Sequence, residues 1–141
     1  MAPLFSKTSS KSRDIPLREV ISASVVTIRP QDCLRTAKQL MARNDIRHLV
    51  VKEAGEVFGV VSERDLAMAL VANKDVAETK LRISDFCLSK PYVVDVNESL
   101  SKVLAKMADN KYGSVVVEED GKLKGIFTAV DALRILAQQV T

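Results

Sequence analysis

A chain of 141 residues, 47% of them hydrophobic and 28% charged, has the composition of one soluble globular domain or of two very small ones that share a core. Its 21 Lys and Arg against 18 Asp and Glu leave a formal +3, too slight an excess to argue for nucleic acid, and 4% aromatics are too few for a base-stacking platform. No apolar run approaches the roughly 20 residues that cross a bilayer, and two cysteines, Cys33 and Cys87, make neither a disulfide framework nor a zinc spacing, so reduced thiols in a cytoplasmic protein are expected.

The opening "MAPLFSKTSSKSRD", residues 1–14, is Ser-rich and basic and weakly imitates an organellar targeting peptide, but it lacks the apolar core of a secretory signal. It is expected to be a flexible polar extension. From Leu17 onward the chain is written twice, with a shift of 66 residues, the distance from Gly59 to Gly125. Leu34 meets Leu100, Met41 meets Met107, Asn44 meets Asn110, Gly55 meets Gly121 and Asp65 meets Asp131.

Each copy reads alike in chain order. The β-branched runs "SVVTI" and "PYVVDV" predict a short strand. A helix follows over "DCLRTAKQLMARN" and "ESLSKVLAKMADN", where Leu100, Val103, Leu104 and Met107 make one apolar stripe. Two strands around a turn at Gly55 or Gly121 predict a hairpin. A last helix is capped by Ser62 or Thr128. The expected organisation is therefore an α/β fold of the α+β type, two β-α-β-β-α units over residues 15–72 and 83–141 joined by a polar linker, 73–82. A half of about 60 residues hides too little surface alone, so the units should pack sheet to sheet by a pseudo-twofold.

The in-register pair "GVVSERD" and "GIFTAVD", with the glycine turns before them and "NDIRHLVV" after the first helix, resembles a tandem pair of cystathionine β-synthase (CBS) domains, a Bateman module. The resemblance covers about Leu17 to Gln139. It implies two clefts between the units, commonly filled by adenosine-containing ligands, a role in sensing and not in catalysis, and further association into a homodimer.

The repeated motif also makes chemical sense. An ionised Asp65 or Asp131 can accept from both neighbouring ribose hydroxyls. The Ser62 or Thr128 hydroxyl, beside the unpaired N–H groups of a helix start, suits a phosphate. Gly59 or Gly125 would let a ligand approach the strand backbone. The same spacing equally describes a capping box, although that box prefers Glu or Gln, and a hydroxyl can cap the helix when the cleft is empty. By the resemblance, Thr27 and Ile28 in one copy and Val93 and Val94 in the other form the adenine-side wall, with Ile46 and Tyr112 against the base face. All six fit a plain core or strand role as well.

The copies differ at Arg47 and His48, which stand opposite Gly113 and Ser114. The resemblance places phosphate-facing basic residues here, so one cleft is expected to be more positive and able to hold AMP, ADP or ATP. His48 fits a half-exposed strand residue equally well. Arg64 and Arg134, on the closing helices, either add to the phosphate charge or face solvent. One histidine, and no H-E-x-x-H, G-x-S-x-G or Walker-type stretch, gives little from which to build an enzyme, and no metal-ligand spacing exists. The leading expectation is a sensor of AMP, ADP or ATP, with S-adenosylmethionine or NAD as other candidates, acting on a separate effector protein. The alternative is a ligand-free dimerisation scaffold.

Overall fold

The computed structural model describes residues 14–21, 25–86 and 91–140; the rest of the expected extension and Cys87 lie outside the described residues. The first half comprises β1 (Thr27–Ile28), α1 (Leu34–Asn44), β2 (His48–Glu53), β3 (Glu56–Ser62) and α2 (Glu63–Ala72). After the short helix α3 (Ile83–Phe86), the second half repeats this as β4 (Val93–Asp95), α4 (Leu100–Asn110), β5 (Ser114–Glu119), β6 (Lys122–Thr128) and α5 (Ala129–Gln139). Each half is a three-stranded sheet in chain order, its first pair parallel and its second antiparallel.

The hairpins turn on two residues with positive φ, Ala54 (51°) with Gly55 (80°), and Asp120 (52°) with Gly121 (75°). Two successive left-handed residues make the turn whose twist matches that of the flanking strands. Helices α1 and α4 also end alike, on left-handed Asp45 and Lys111. The next amide, of Ile46 or Tyr112, donates back to Met41 or Met107 at 3.0 Å. That bend delivers residues 46–48 and 112–114 to the heads of β2 and β5, where the clefts will be.

Alternation along the strands divides the core. Leu49, Val51 and Val61 face Leu34, Ala37 and Met41 of α1; Val115, Val117 and Phe127 face Leu100, Val103 and Met107 of α4. The other sheet faces meet each other through buried Val50, Val60 and Val116, with Val57, Leu123 and Ile126 around them. These are equivalent positions of the two copies, as a pseudo-twofold requires. A fully buried valine contributes about 1.5–3 kcal/mol, so neither sheet would be left bare without a large loss.

Packing also ties the halves together through their leading segments. Ile15, fully buried Leu17, Val20 and Ile21 pack into the core of the second half, and the amides of Leu17 and Arg18 donate to Glu98 (2.9 Å) and Val96 (2.8 Å). Leu81 and Ile83 pack into the first core, the Leu34 amide donating to Leu81 at 2.8 Å. Asp14, read from the sequence as the end of the extension, accepts hydrogen bonds from the hydroxyls of Ser99 (2.6 Å) and Ser101 (2.7 Å). The stretch read as a linker is anchored as well, Glu78 pairing with Lys38 at 2.8 Å.

Candidate functional site

Two clefts open where α2 and α5 begin. In the first, of about 610 Å³, Val26, Ile46, Arg47 and His48 of the first half face Thr128, Asp131 and Arg134 of the second. In the other, of about 520 Å³, Ser62, Arg64 and Asp65 of the first half face Lys111, Gly113 and Ser114 of the second. Both volumes are in the range of small-molecule sites. Each cleft thus joins one half's helix start to the other half's strand head.

Both helix starts are capping boxes. The Asp65 amide donates to the Ser62 hydroxyl at 3.1 Å while the Ser62 amide donates to Asp65 Oδ2 at 2.8 Å. Asp131 and Thr128 repeat the pair at 3.3 and 2.8 Å, and the Thr128 hydroxyl also donates to Asp131 Oδ2 at 3.0 Å. The caps that the spacing allows are formed, and they occupy only one oxygen of each carboxylate. Oδ1 of Asp65 and of Asp131 makes no hydrogen bond among the described residues, so it keeps two acceptor sites for hydroxyl donors at the cleft wall.

Arg47 and His48 line both clefts, contrary to the expectation that they mark one of them. The reason is their place where the strand heads meet: a Cβ added to Gly113 would lie 3.4 Å from His48 Nε2. Charge is therefore shared, with Arg134 added on one side and Arg64 and Lys111 on the other. Burial pushes the His48 imidazole below its ordinary value, against the pull of Asp65 and Asp131 and with Arg47 adding to the push. At neutral pH it is an uncharged donor or acceptor, not a second cation.

Of the six residues expected on the adenine side, only Ile46 lines a cleft. Ile28 and Val94 point into the cores of their own halves, while Thr27 and Val93 are exposed and line neither cleft. Val26, the residue just before β1, lines the first cleft with Ile46. Nothing in the sequence told where the short strand ends and the cleft begins. The lining role of Lys111 was also missed; its left-handed turn carries no sequence signal of the glycine or asparagine kind. Tyr112 does not line the second cleft; its ring lies on that of Tyr92, with centroids 5.3 Å apart.

Gly59 and Gly125 are buried and line neither cleft, a correction to their expected role beside a ligand. They pair with Val51 and Val117 where the register of each hairpin shifts. Glycine at a bulge accommodates the distorted strand. Among the described residues no group of three or more His, Cys, Asp or Glu is placed to hold a metal ion, and no helix is long and apolar enough to cross a membrane.

Fold and clefts define a duplicated α+β pair with its sites at the junction of the copies. The family model for the CBS domain matches residues 17–72 and 83–138, so the chain belongs to the CBS-domain family as a tandem pair. It is 25% identical over 122 residues to the uncharacterized protein MJ1225 of Methanocaldococcus jannaschii, a match covering 86% of this chain but only 42% of that protein's length. A putative acetoin utilization protein (AcuB) from Vibrio cholerae superposes with a TM-score of 0.82 at 25% identity, covering 92% of this chain and 96% of the other. The CBS domain pair of protein MJ0100, solved with 5′-methylthioadenosine and S-adenosyl-L-methionine, superposes with a TM-score of 0.80 at 22% identity, covering 90% of this chain and 99% of that one.

Proposed function

We propose that the chain is a regulatory module that binds an adenosine-containing ligand, AMP, ADP or ATP first among them, in the cleft between Ile46 and Asp131. The observation that carries this reading is the pairing of an apolar wall, Val26 and Ile46, with a capping carboxylate that keeps one oxygen uncommitted, Asp131 Oδ1. Asp131 would accept from the ribose hydroxyls, the base would lie on Ile46 and Val26, and the amides of the first turn of α5 with Arg47 and Arg134 would receive phosphate. His48 would serve phosphate as a hydrogen-bond donor through a ring N–H. Ser62 and Asp65 hold the positions of the second cleft that match Thr128 and Asp131, and Arg64, the counterpart of Val130, would add a phosphate-facing charge there. The adenosyl ligands of protein MJ0100 support the ligand class, and keep S-adenosylmethionine alongside the nucleotides as a candidate.

The module acts by shape and not by catalysis: a ligand bridging both halves favours one relative arrangement, and a partner that discriminates between arrangements reads it. A homodimer is proposed through α2 and α5, whose outer faces expose Met68, Val71, Leu133 and Leu136. That apolar surface also favours a second reading, a ligand-free scaffold. A thermal-shift panel with AMP, ADP, ATP, S-adenosylmethionine and NAD separates the two. A ligand at 100 times its dissociation constant adds about 2.7 kcal/mol, and Asp131→Ala should abolish that shift. No shift with any of the five leaves the scaffold.

A further inference from the structure

The second cleft lacks the base end of the first. The positions equivalent to Val26 and Ile46 are Tyr92 and Tyr112, and neither lines it, although their neighbours Lys111, Gly113 and Ser114 do. The two rings instead lie on each other, centroids 5.3 Å apart and planes inclined by 36°. Lys106 Nζ lies over the Tyr92 ring, 4.8 Å from its centroid. A base entering between the rings needs about 7 Å, two contacts of about 3.5 Å each. The pair is therefore in contact with itself and leaves no slot.

We propose that Tyr92 and Tyr112 are specificity-determining residues that stop the second cleft against a purine base, so that each chain has one base-accepting cleft, the one walled by Val26 and Ile46. What remains beside Asp65 is a polar recess with Arg47, Arg64 and Lys111, open to sugar or phosphate groups but not to the base. Parting the rings would forfeit their contact, which weakens a second nucleoside by up to about tenfold relative to the first. The proposal rests on the adenosyl reading above and refines it.

Because the chain has no Trp and only two Tyr, both in this pair, a tyrosine label reports on the stopper alone. The full chain carrying 3-fluorotyrosine is titrated with AMP and separately with S-adenosylmethionine, followed by fluorine NMR and by calorimetry. The expected result is one equivalent of probe per chain, lost in Asp131→Ala, with both fluorine resonances unmoved by that equivalent. Tyr92→Val with Tyr112→Ile should admit a second equivalent, which Asp65→Ala then removes. Two equivalents of similar affinity in the unsubstituted chain, resonances that move with the first equivalent, or a folded double variant that still takes one would overturn the stopper while leaving the adenosyl reading standing. Binding of neither probe by either protein overturns both. The unsubstituted chain decides the matter even if the double variant unfolds.

Discussion

The two halves agree wherever the backbone sets the geometry and diverge where only side chains do. Left-handed residues fall at Asp45 and Lys111, at Ala54 and Asp120, and at Gly55 and Gly121, and both closing helices start on a capping box. Yet Val26 and Ile46 leave one cleft an aliphatic wall, whereas Tyr92 and Tyr112 spend their surface on each other. A duplicated scaffold can thus keep two matching helix-capping turns while differing in the side chains around them.

The largest difference between the halves in stability is expected in their cores. Phe127 and Val61 are equivalent and both 0% exposed, but the second core rests on the larger residue. Phe127→Ala should cost about 3–5 kcal/mol and Val61→Ala less, read from urea denaturation. Because the leading segments cross between halves, one cooperative transition is expected in both variants. Two separate transitions would show that the halves fold independently.

The two helix caps should also differ in what they contribute. Removing a hydroxyl cap costs about 0.5–2 kcal/mol. Helix α2 has Leu66 and Ala69 buried beneath it, while α5 has no buried residue. Thr128→Ala should therefore fray α5 more than Ser62→Ala frays α2, seen as faster amide exchange in residues 129–133 than in 63–67. Equal exchange would mean that packing, not the cap, holds both starts.

The shared His48 predicts a smaller effect. Its folded imidazole binds a proton less readily than the ordinary value of 6.5, chiefly through burial, so stability is full above about pH 6.5 and declines as pH falls from there toward the lowered folded value. His48→Gln should flatten that decline. A slope of opposite sign in the native chain would mean that the pull of Asp65 and Asp131 outweighs burial.

Smallest is the brace at Asp14. The hydroxyls of Ser99 and Ser101 hold its carboxyl down to about 2 from 3.8, so its contribution is intact above 3.8 and is lost as pH falls from 3.8 through about 2. Asp14→Asn should remove that slight slope from an acid titration of stability. An unchanged slope would place its origin elsewhere.

Much of this was legible in the sequence because duplication doubled weak signals. The strand-helix-hairpin-helix order, the turns at Gly55 and Gly121 and the caps at Ser62 and Thr128 each depend on residues close in sequence, and each stands where the pattern put it. What the pattern could not carry was long-range. That Leu17 belongs to the core of the second half, that Gly59 serves a bulge, and that Arg47 and His48 stand on the boundary of both clefts all follow from how two sheets meet. The tyrosines were visible as the counterparts of Val26 and Ile46, but their contact depends on ring orientation, which spacing does not encode.

The central claim is that a base rests on the aliphatic wall opposite Asp131. Intermolecular NOEs from the adenine H2 and H8 protons of bound AMP or S-adenosylmethionine test it most directly. Cross-peaks to the methyls of Ile46 and Val26 are expected. Cross-peaks to the Tyr92 and Tyr112 rings in their place would contradict it.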